Sequence, residues 1–265
     1  MAGLPNHTRP DTNQGENAVG YDINNKTVFI TGANRGIGKA IAEEFIKQGV
    51  AKVYAAVRNV ESVAPLVALY GDKVAPIKVD VADEETIIEA ANAAQDVDVV
   101  INNAGVLSMS SVFDEGAMEA LAFELDINLF GLMRVARAFA PVLKANGGGA
   151  FVQLNSVGSL KTVPNIATYC TSKAACYAIT QALREALVAQ GTHVVSVHAG
   201  PINTEMLNDT GYGEIAEPPS LVANGIIEAL KKGEFHVFPD SLARQVGSVY
   251  EGFAENVIMA SVTED

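Results

Sequence analysis

Tyr169 and Lys173 stand four residues apart in the stretch Y-C-T-S-K, so on a helix the phenol and the ammonium share one face. A free phenol titrates near ~10, too high for easy proton exchange at neutral pH, and a neighbouring cation favours its ionised form. The pair is therefore a candidate acid/base. Ser156, thirteen residues before Tyr169 and at the end of a strand-like run, adds a hydroxyl that can hydrogen-bond an oxygen gaining charge. A second feature is T-G-A-N-R-G-I-G at 31 to 38, between the apolar run V-F-I and the helix-like K-A-I-A-E-E-F-I. A helix start exposes unpaired N–H groups with partial positive charge, and a glycine turn leading into it lets backbone approach a phosphate closely. A Walker-type loop would need Gly at 33 and Ser or Thr at 40, where Ala33 and Ala40 stand. The common dinucleotide spacing G-x-G-x-x-G also differs from Gly32, Gly36 and Gly38. What remains is a phosphate cradle of another spacing or a glycine-rich turn that only packs helix against strand, and the loop alone does not decide between them.

Both features need elements to hold them, and the chain supplies a long alternation. Apolar, β-branched runs at 26 to 31, 51 to 57, 73 to 79, 97 to 101, 149 to 155 and 193 to 198 are separated by stretches of helical period. A last run, E-F-H-V-F at 234 to 238, closes the series. The pattern predicts βαβ units, an α/β fold with one doubly wound parallel sheet of about seven strands, apolar on both faces and covered by helices on each side. No linker or shift in composition divides the alternation, so one domain over 22 to 265 is expected, preceded by a polar, non-periodic, flexible arm at 1 to 21.

Composition limits the partners. The chain has 265 residues, 49% hydrophobic and 18% charged, with a formal net charge of −13. Such an acidic surface disfavours nucleic acid or an anionic membrane and favours a small molecule. There is neither a run long enough to span a membrane nor a leader-like apolar centre in the first twenty residues, so a cytoplasmic location is expected. Cys170 and Cys176, six apart on one expected helix, are badly placed to pair and read as packing residues. Neither C-x-x-C nor a His pair at metal spacing occurs, so no metal is expected.

With its other segments in view, the chain resembles the short-chain dehydrogenase/reductase family. G-x-x-x-G-x-G follows the first strand, and V-D-V-V-I-N-N-A-G at 97 to 105 is similar to the family's fourth strand and turn. Asn128 in D-I-N-L-F-G, then Ser156, Tyr169 and Lys173 at the family's S…Y-x-x-x-K spacing, and A-G-P-I-N-T at 199 to 204, with Ala199 where proline is usual, follow in order. The resemblance covers roughly residues 24 to 240. It implies a Rossmann-like oxidoreductase in which Tyr169 exchanges the proton of a carbonyl or alcohol and Ser156 binds its oxygen. Lys173 would hold the nicotinamide ribose, and Asn128 a water linking Lys173 to solvent.

By the same resemblance the cofactor contacts are Gly32, Asn34, Arg35, Gly36, Ile37, Gly38, Arg58, Asp80, Val81, Asn103, Ala104, Gly105, Tyr169, Lys173, Ile202 and Thr204. About twenty residues past the last glycine an NAD enzyme usually places a carboxylate against the adenosine ribose. Here Val57-Arg58-Asn59 offers none, while Arg58 and Arg35 can pair with a 2′-phosphate, so NADP(H) is expected over NAD(H). The substrate pocket is expected around Val106, Leu107, Val157, Gly158, Met206, Leu207 and Tyr212, the last three in a short loop at 205 to 219. Apolar residues at helix-like intervals at 242 to 258 suggest a cover for the pocket or for a neighbouring subunit.

These readings lead to an NADPH-dependent carbonyl reductase, or alcohol dehydrogenase in reverse, acting on small or medium ketones. A 3-oxoacyl-thioester reductase is the alternative, less comfortable because an acyl carrier protein is itself acidic. A non-catalytic NADP-binding regulator is a third, against which the intact Ser156, Tyr169 and Lys173 speak. The family's habit of packing its long helices against copies implies a homo-oligomer, dimer or tetramer, with the tetramer expected.

Overall fold

The computed structural model describes residues 20–207 and 211–259. The expected arm lies outside the described residues except for its last two positions, and Tyr21 is already packed: its amide donates to the Leu230 carbonyl at 2.6 Å. Among the described residues seven strands form one sheet: β1 (Thr27–Thr31), β2 (Lys52–Val57), β3 (Val74–Lys78), β4 (Val99–Asn102), β5 (Ala150–Leu154), β6 (His193–Val197) and β7 (His236–Val237). All neighbouring pairs run parallel, in the order β3-β2-β1-β4-β5-β6-β7. This is the Rossmann-like α/β arrangement that the alternation predicts. The order reverses between β1 and β4, and a crevice opens there at the carboxyl ends of the strands.

Alternate strand residues feed two cores. Val28, Ile30, Val99, Ile101 and Val152 face α1 (Gly36–Lys47), α2 (Ala64–Tyr70) and α7 (Ser220–Lys232) through Ile41, Phe45, Leu66 and Ile226. Phe29, Val100 and Phe151 face α3 (Glu84–Ala93), α5 (Gly131–Ala145) and α6 (Ala167–Val188) through Ile87, Leu132, Phe139 and Tyr177. Phe29 and Phe139 meet at 4.2 Å between ring centroids, tying the central strand to α5. β3 departs from the expectation of strands apolar on both faces. It is an edge strand with Pro76 at its middle and buried and open positions in near alternation, because one side of an edge is left to water. β7 is also shorter than the run 234 to 238 suggests, pairing with β6 only at His236 and Val237.

Two helices carry features the site needs. α4 (Ala117–Glu124) runs into α5 through a π-helical turn at Leu125–Phe130, which contains Asn128. α8 (Ser241–Phe253) closes the end of the sheet, with Tyr250 packed on the second core and its hydroxyl 3.1 Å from that of Tyr177. Its start is fixed by Asp240, 1% exposed, whose Oδ1 accepts from Ala243 N at 2.9 Å and whose Oδ2 accepts from Gly200 N at 2.7 Å. One carboxylate thus caps α8 and pins the turn after β6.

Asp240→Ala strands both N–H groups, each worth about 1–3 kcal/mol when left unpaired. The urea midpoint falls accordingly, and Asp240→Asn, which keeps one acceptor, falls less; an unchanged midpoint in the alanine variant contradicts this role.

Candidate active site

At the crevice, β1 hands over to α1 through the glycine turn. Gly32 and Gly36 have φ of +68° and +53°, where a side chain is strained. A Cβ at Gly38 would lie 2.3 Å from the Gly32 carbonyl oxygen and 2.6 Å from Asn103 Nδ2. Arg35 occupies the position before α1 in extended conformation, and its side chain does not cap the helix. The first-turn N–H groups therefore point outward from a helix end uncapped by a side chain, in keeping with a cofactor phosphate. Asn103 braces the turn from β4, its Nδ2 donating to the Thr31 carbonyl at 2.8 Å and the Gly32 carbonyl at 3.3 Å. Ala104 N and Asn103 N both donate to Thr31 Oγ1 at 2.9 Å.

The other expected cofactor residues surround this turn. Asn34 is partly buried within it, while Ile37 packs into the first core, so only its backbone is left to the crevice. The Ile202 side chain likewise sits in the first core at 3% exposed. Thr204 reaches Gly36: a Cβ at that glycine would be 3.0 Å from the threonine methyl. Arg58 is exposed just beyond β2, and Arg35 is ion-paired with Glu205 from the loop after β6. Asp80 Oδ1 accepts from Ala82 N at 3.1 Å, and Val81 is buried against Gly131 of α5.

Ser156, Tyr169 and Lys173 converge where β5 ends. Ser156 opens a single 3₁₀ turn, Val157–Ser159, and its Oγ accepts from Gly158 N at 3.0 Å. A Cβ on Gly158 would be 3.1 Å from Cys170 Sγ, 3.4 Å from Ser156 Oγ and 3.8 Å from the Tyr169 ring, so this glycine lets turn and helix close together. Lys173 is 5% exposed; its Nζ donates to the Leu154 carbonyl at 2.8 Å and lies 5.8 Å from the Tyr169 ring centroid. The expectation that the ammonium draws the phenol down is overturned. Burial pushes the Tyr169 pKa well up, opposed by the Ser156 hydroxyl, and the same burial pushes Lys173 down. Desolvation is the largest influence on both groups.

Asn128 is buried in the π-helical turn before α5. Its Nδ2 donates to the Val106 carbonyl at 3.0 Å and to Ser172 Oγ at 2.9 Å, and its Oδ1 accepts from Val106 N at 2.8 Å. The side chain thus braces the loop after β4 and ties it to α6. Cys176 Sγ donates to the Asn128 carbonyl at 3.1 Å, a packing contact of a buried thiol.

On the substrate side, Val106, Leu107, Val157 and Leu207 are partly buried, Gly158 is buried, and Met206 is 45% exposed. Tyr212 donates its hydroxyl hydrogen to Asn165 Oδ1 at 3.0 Å, linking the loop after β6 to the approach to α6. Residues 208–210 of that loop lie outside the described residues. One residue beside the loop after β4 gave no sequence signal: Glu124, which reads as an ordinary helix-surface charge, is fully buried, with Oε1 accepting from Ser108 N at 2.6 Å. Burial raises its pKa, against the pull of the Ser108 hydrogen bond.

A family model described as short chain dehydrogenase matches residues 26–214. A Staphylococcus saprophyticus oxidoreductase is 30% identical over 80% of this chain and 93% of its own. An NADP-dependent 3-hydroxy acid dehydrogenase of Schizosaccharomyces pombe is 31% identical over 83% of this chain and 92% of its own. Among solved structures, a short chain dehydrogenase from Burkholderia cenocepacia in complex with NADP superposes with a TM-score of 0.80 at 30% identity, covering 91% of this chain and all of that one. A second, from Burkholderia phymatum in complex with NAD, shares the fold at a TM-score of 0.76 and 21% identity, over 92% of this chain and 99% of its own.

Glu124 makes a pH prediction with a definite sign. Its folded-state pKa lies above the ordinary value of 4.5, so the folded state holds the proton more tightly and loses stability as pH rises through that raised pKa. Glu124→Gln removes this loss, so its urea midpoint relative to wild type rises between pH 4.5 and 8; a pH-independent difference contradicts the assignment.

Proposed function

The chain belongs to the short-chain dehydrogenase/reductase family, an oxidoreductase family with a nicotinamide cofactor, and from that premise we propose that it reduces small or medium ketones with NADPH. The observation that carries this reading is the convergence of the Tyr169 phenol, the Ser156 hydroxyl and the Lys173 ammonium at the carboxyl end of β5. A bound dihydronicotinamide supplies the hydride for carbonyl reduction and, once oxidised, accepts one from an alcohol.

The chain's own residues do the rest. Gly32, Gly36 and Gly38 bring backbone N–H groups of α1 to the pyrophosphate; Asn103, Ala104 and Gly105 line the adenosine ribose. Asp80 and Val81 flank the adenine, Ile202 (through its backbone) and Thr204 meet the carboxamide, and Lys173 holds the nicotinamide ribose. Ser156 donates a hydrogen bond to the substrate oxygen, and Tyr169 gives that oxygen its proton. A phenol that burial keeps protonated is the form that carbonyl reduction consumes. Val106, Leu107, Val157, Gly158, Met206, Leu207 and Tyr212 form the pocket around the ketone substituents.

NADPH preference rests on Arg58, exposed at the end of β2 with no carboxylate in Val57-Arg58-Asn59 to repel a 2′-phosphate. Arg35 shares its charge with Glu205, which leaves Arg58 the larger part. The single catalytic domain over 22 to 265 is proposed to form a homotetramer, favoured by Phe123, Phe130 and Met133, apolar yet 53%, 46% and 39% exposed along α4, the π-helical turn and α5.

The test compares NADPH and NADH oxidation at matched concentrations against an aryl ketone, an aliphatic ketone and a 3-oxoacyl thioester. Ketone turnover with NADPH in the lead is expected. Arg58→Ala lowers NADPH affinity on the order of tenfold, the loss of one charge-assisted hydrogen bond of about 1.5 kcal/mol, and leaves NADH unchanged. Turnover of the thioester alone transfers the reading to acyl reduction, and silence on all three with tight NADPH binding overturns the enzymatic reading.

A further inference from the structure

Beneath the Ser156 turn lies a chain of buried polar groups for which the reaction proposed above has no role so far. Asn155 and Ser196 are 5% and 0% exposed, and His198 is fully buried. Asn155 Nδ2 lies 2.9 Å from Ser196 Oγ, Ser196 Oγ 2.8 Å from His198 Nε2, and His198 Nδ1 2.9 Å from Ser159 Oγ. Ser159 Oγ is 2.5 Å from the Ser156 carbonyl oxygen.

Counting protons fixes every direction. A carbonyl only accepts, so the one Ser159 hydroxyl hydrogen goes to Ser156. The contact with His198 Nδ1 then requires that nitrogen to carry a hydrogen, and its 3.4 Å approach to the same carbonyl agrees. Burial and the neighbouring His236 ring push the His198 pKa down to about 3, so the ring is neutral and Nε2 is bare. Ser196 must donate to it and accept from Asn155. Thr180 in turn gives its hydroxyl hydrogen to the Cys176 carbonyl at 2.7 Å and can only accept from Asn155 Nδ2, at 3.3 Å. Asn155 is thereby oriented as a double donor. The run reads in one direction, from Asn155 through Ser196, His198 and Ser159 to the Ser156 carbonyl.

We propose that His198, as the Nδ1–H tautomer, is a positioning residue for Ser156, holding Ser159 and through it the turn that aims the Ser156 hydroxyl at the substrate oxygen. The proposal rests on the carbonyl-reductase reading for its catalytic consequence, but the turn it fixes can be read without substrate. The ring is itself clamped, edge-on to Tyr177 at 4.6 Å and stacked on Phe238 at 5.3 Å between centroids, so it has one place to stand. Asn is the conservative replacement, since its amide N–H can reach Ser159 as Nδ1–H does; Leu fills the space and donates nothing.

Two measurements test it. Nitrogen-15 NMR of the full chain at pH 7.5 is expected to show His198 protonated at Nδ1 and bare at Nε2, and amide exchange at Gly158 is expected to quicken in Ser159→Ala. Steady-state kinetics, with NADPH and whichever ketone turns over fastest, are expected to show kcat reduced about tenfold or more in Ser159→Ala and His198→Leu. The NADPH dissociation constant stays within about twofold, since both residues lie off the expected cofactor contacts. His198→Asn recovers most of the rate, and the double variant is no worse than His198→Leu alone, because both changes break one chain. Should His198→Leu fail to fold, Ser159→Ala and the wild-type spectrum carry the test. An Nε2–H tautomer, or an unaltered kcat in Ser159→Ala, overturns the proposal. A wild type inert to all ketones but with the Nδ1–H spectrum and the Gly158 effect would sink the reaction reading and leave the positioning of Ser156 standing.

Discussion

The site depends on the burial of one ammonium group. Lys173, nearly sealed from water, gives a hydrogen bond to the Leu154 carbonyl at the end of β5. A buried cation is costly, and its surroundings must be held still for that cost to be met. The end of β5, the second turn of α6 and the π-helical stretch around Asn128 do this together. Asn128 locks the Val106 loop from one side and Ser172 from the other, and the absence of a side chain at Gly105 leaves room for both Asn128 Oδ1 and Lys173 Nζ. The same desolvation pushes the pKa of the neighbouring Tyr169 phenol up.

The second constraint is topological. Because strand order reverses between β1 and β4, the glycine turn and the Asn103 turn meet at one crevice, with Ser156 at the end of β5 and Tyr169 and Lys173 on α6 beyond it. Phosphate, ribose and reacting carbon would then lie in sequence along the strand ends. The glycines are required by close approach: Gly38 admits no Cβ against the Gly32 carbonyl, so helix and turn can meet only there.

Much of this was legible in the chain. The sevenfold alternation predicts the sheet, and the four-residue spacing of Tyr169 and Lys173 places them on one helical face, because both are local patterns. What was not legible is long-range. No local rule says that Glu124 is buried against Ser108, since a Glu in F-E-L-D reads as a solvated charge. Nor does any local pattern join the end of β6, with Ser196 and His198, to Asn155 and Ser159 about forty residues earlier in the chain. The misjudged phenol belongs to the same class: spacing gives the proximity of Lys173, but desolvation, the larger effect, is a property of the folded interior.

The central claim is that Tyr169 is the proton donor of a carbonyl reduction carried out at this crevice. Its most direct test is Tyr169→Phe, assayed for NADPH oxidation with a ketone and, in parallel, for NADPH binding by cofactor fluorescence. Loss of the phenolic hydrogen is predicted to abolish turnover, by roughly a thousandfold in kcat, while the NADPH dissociation constant barely moves. Near-normal turnover in the variant would contradict the account.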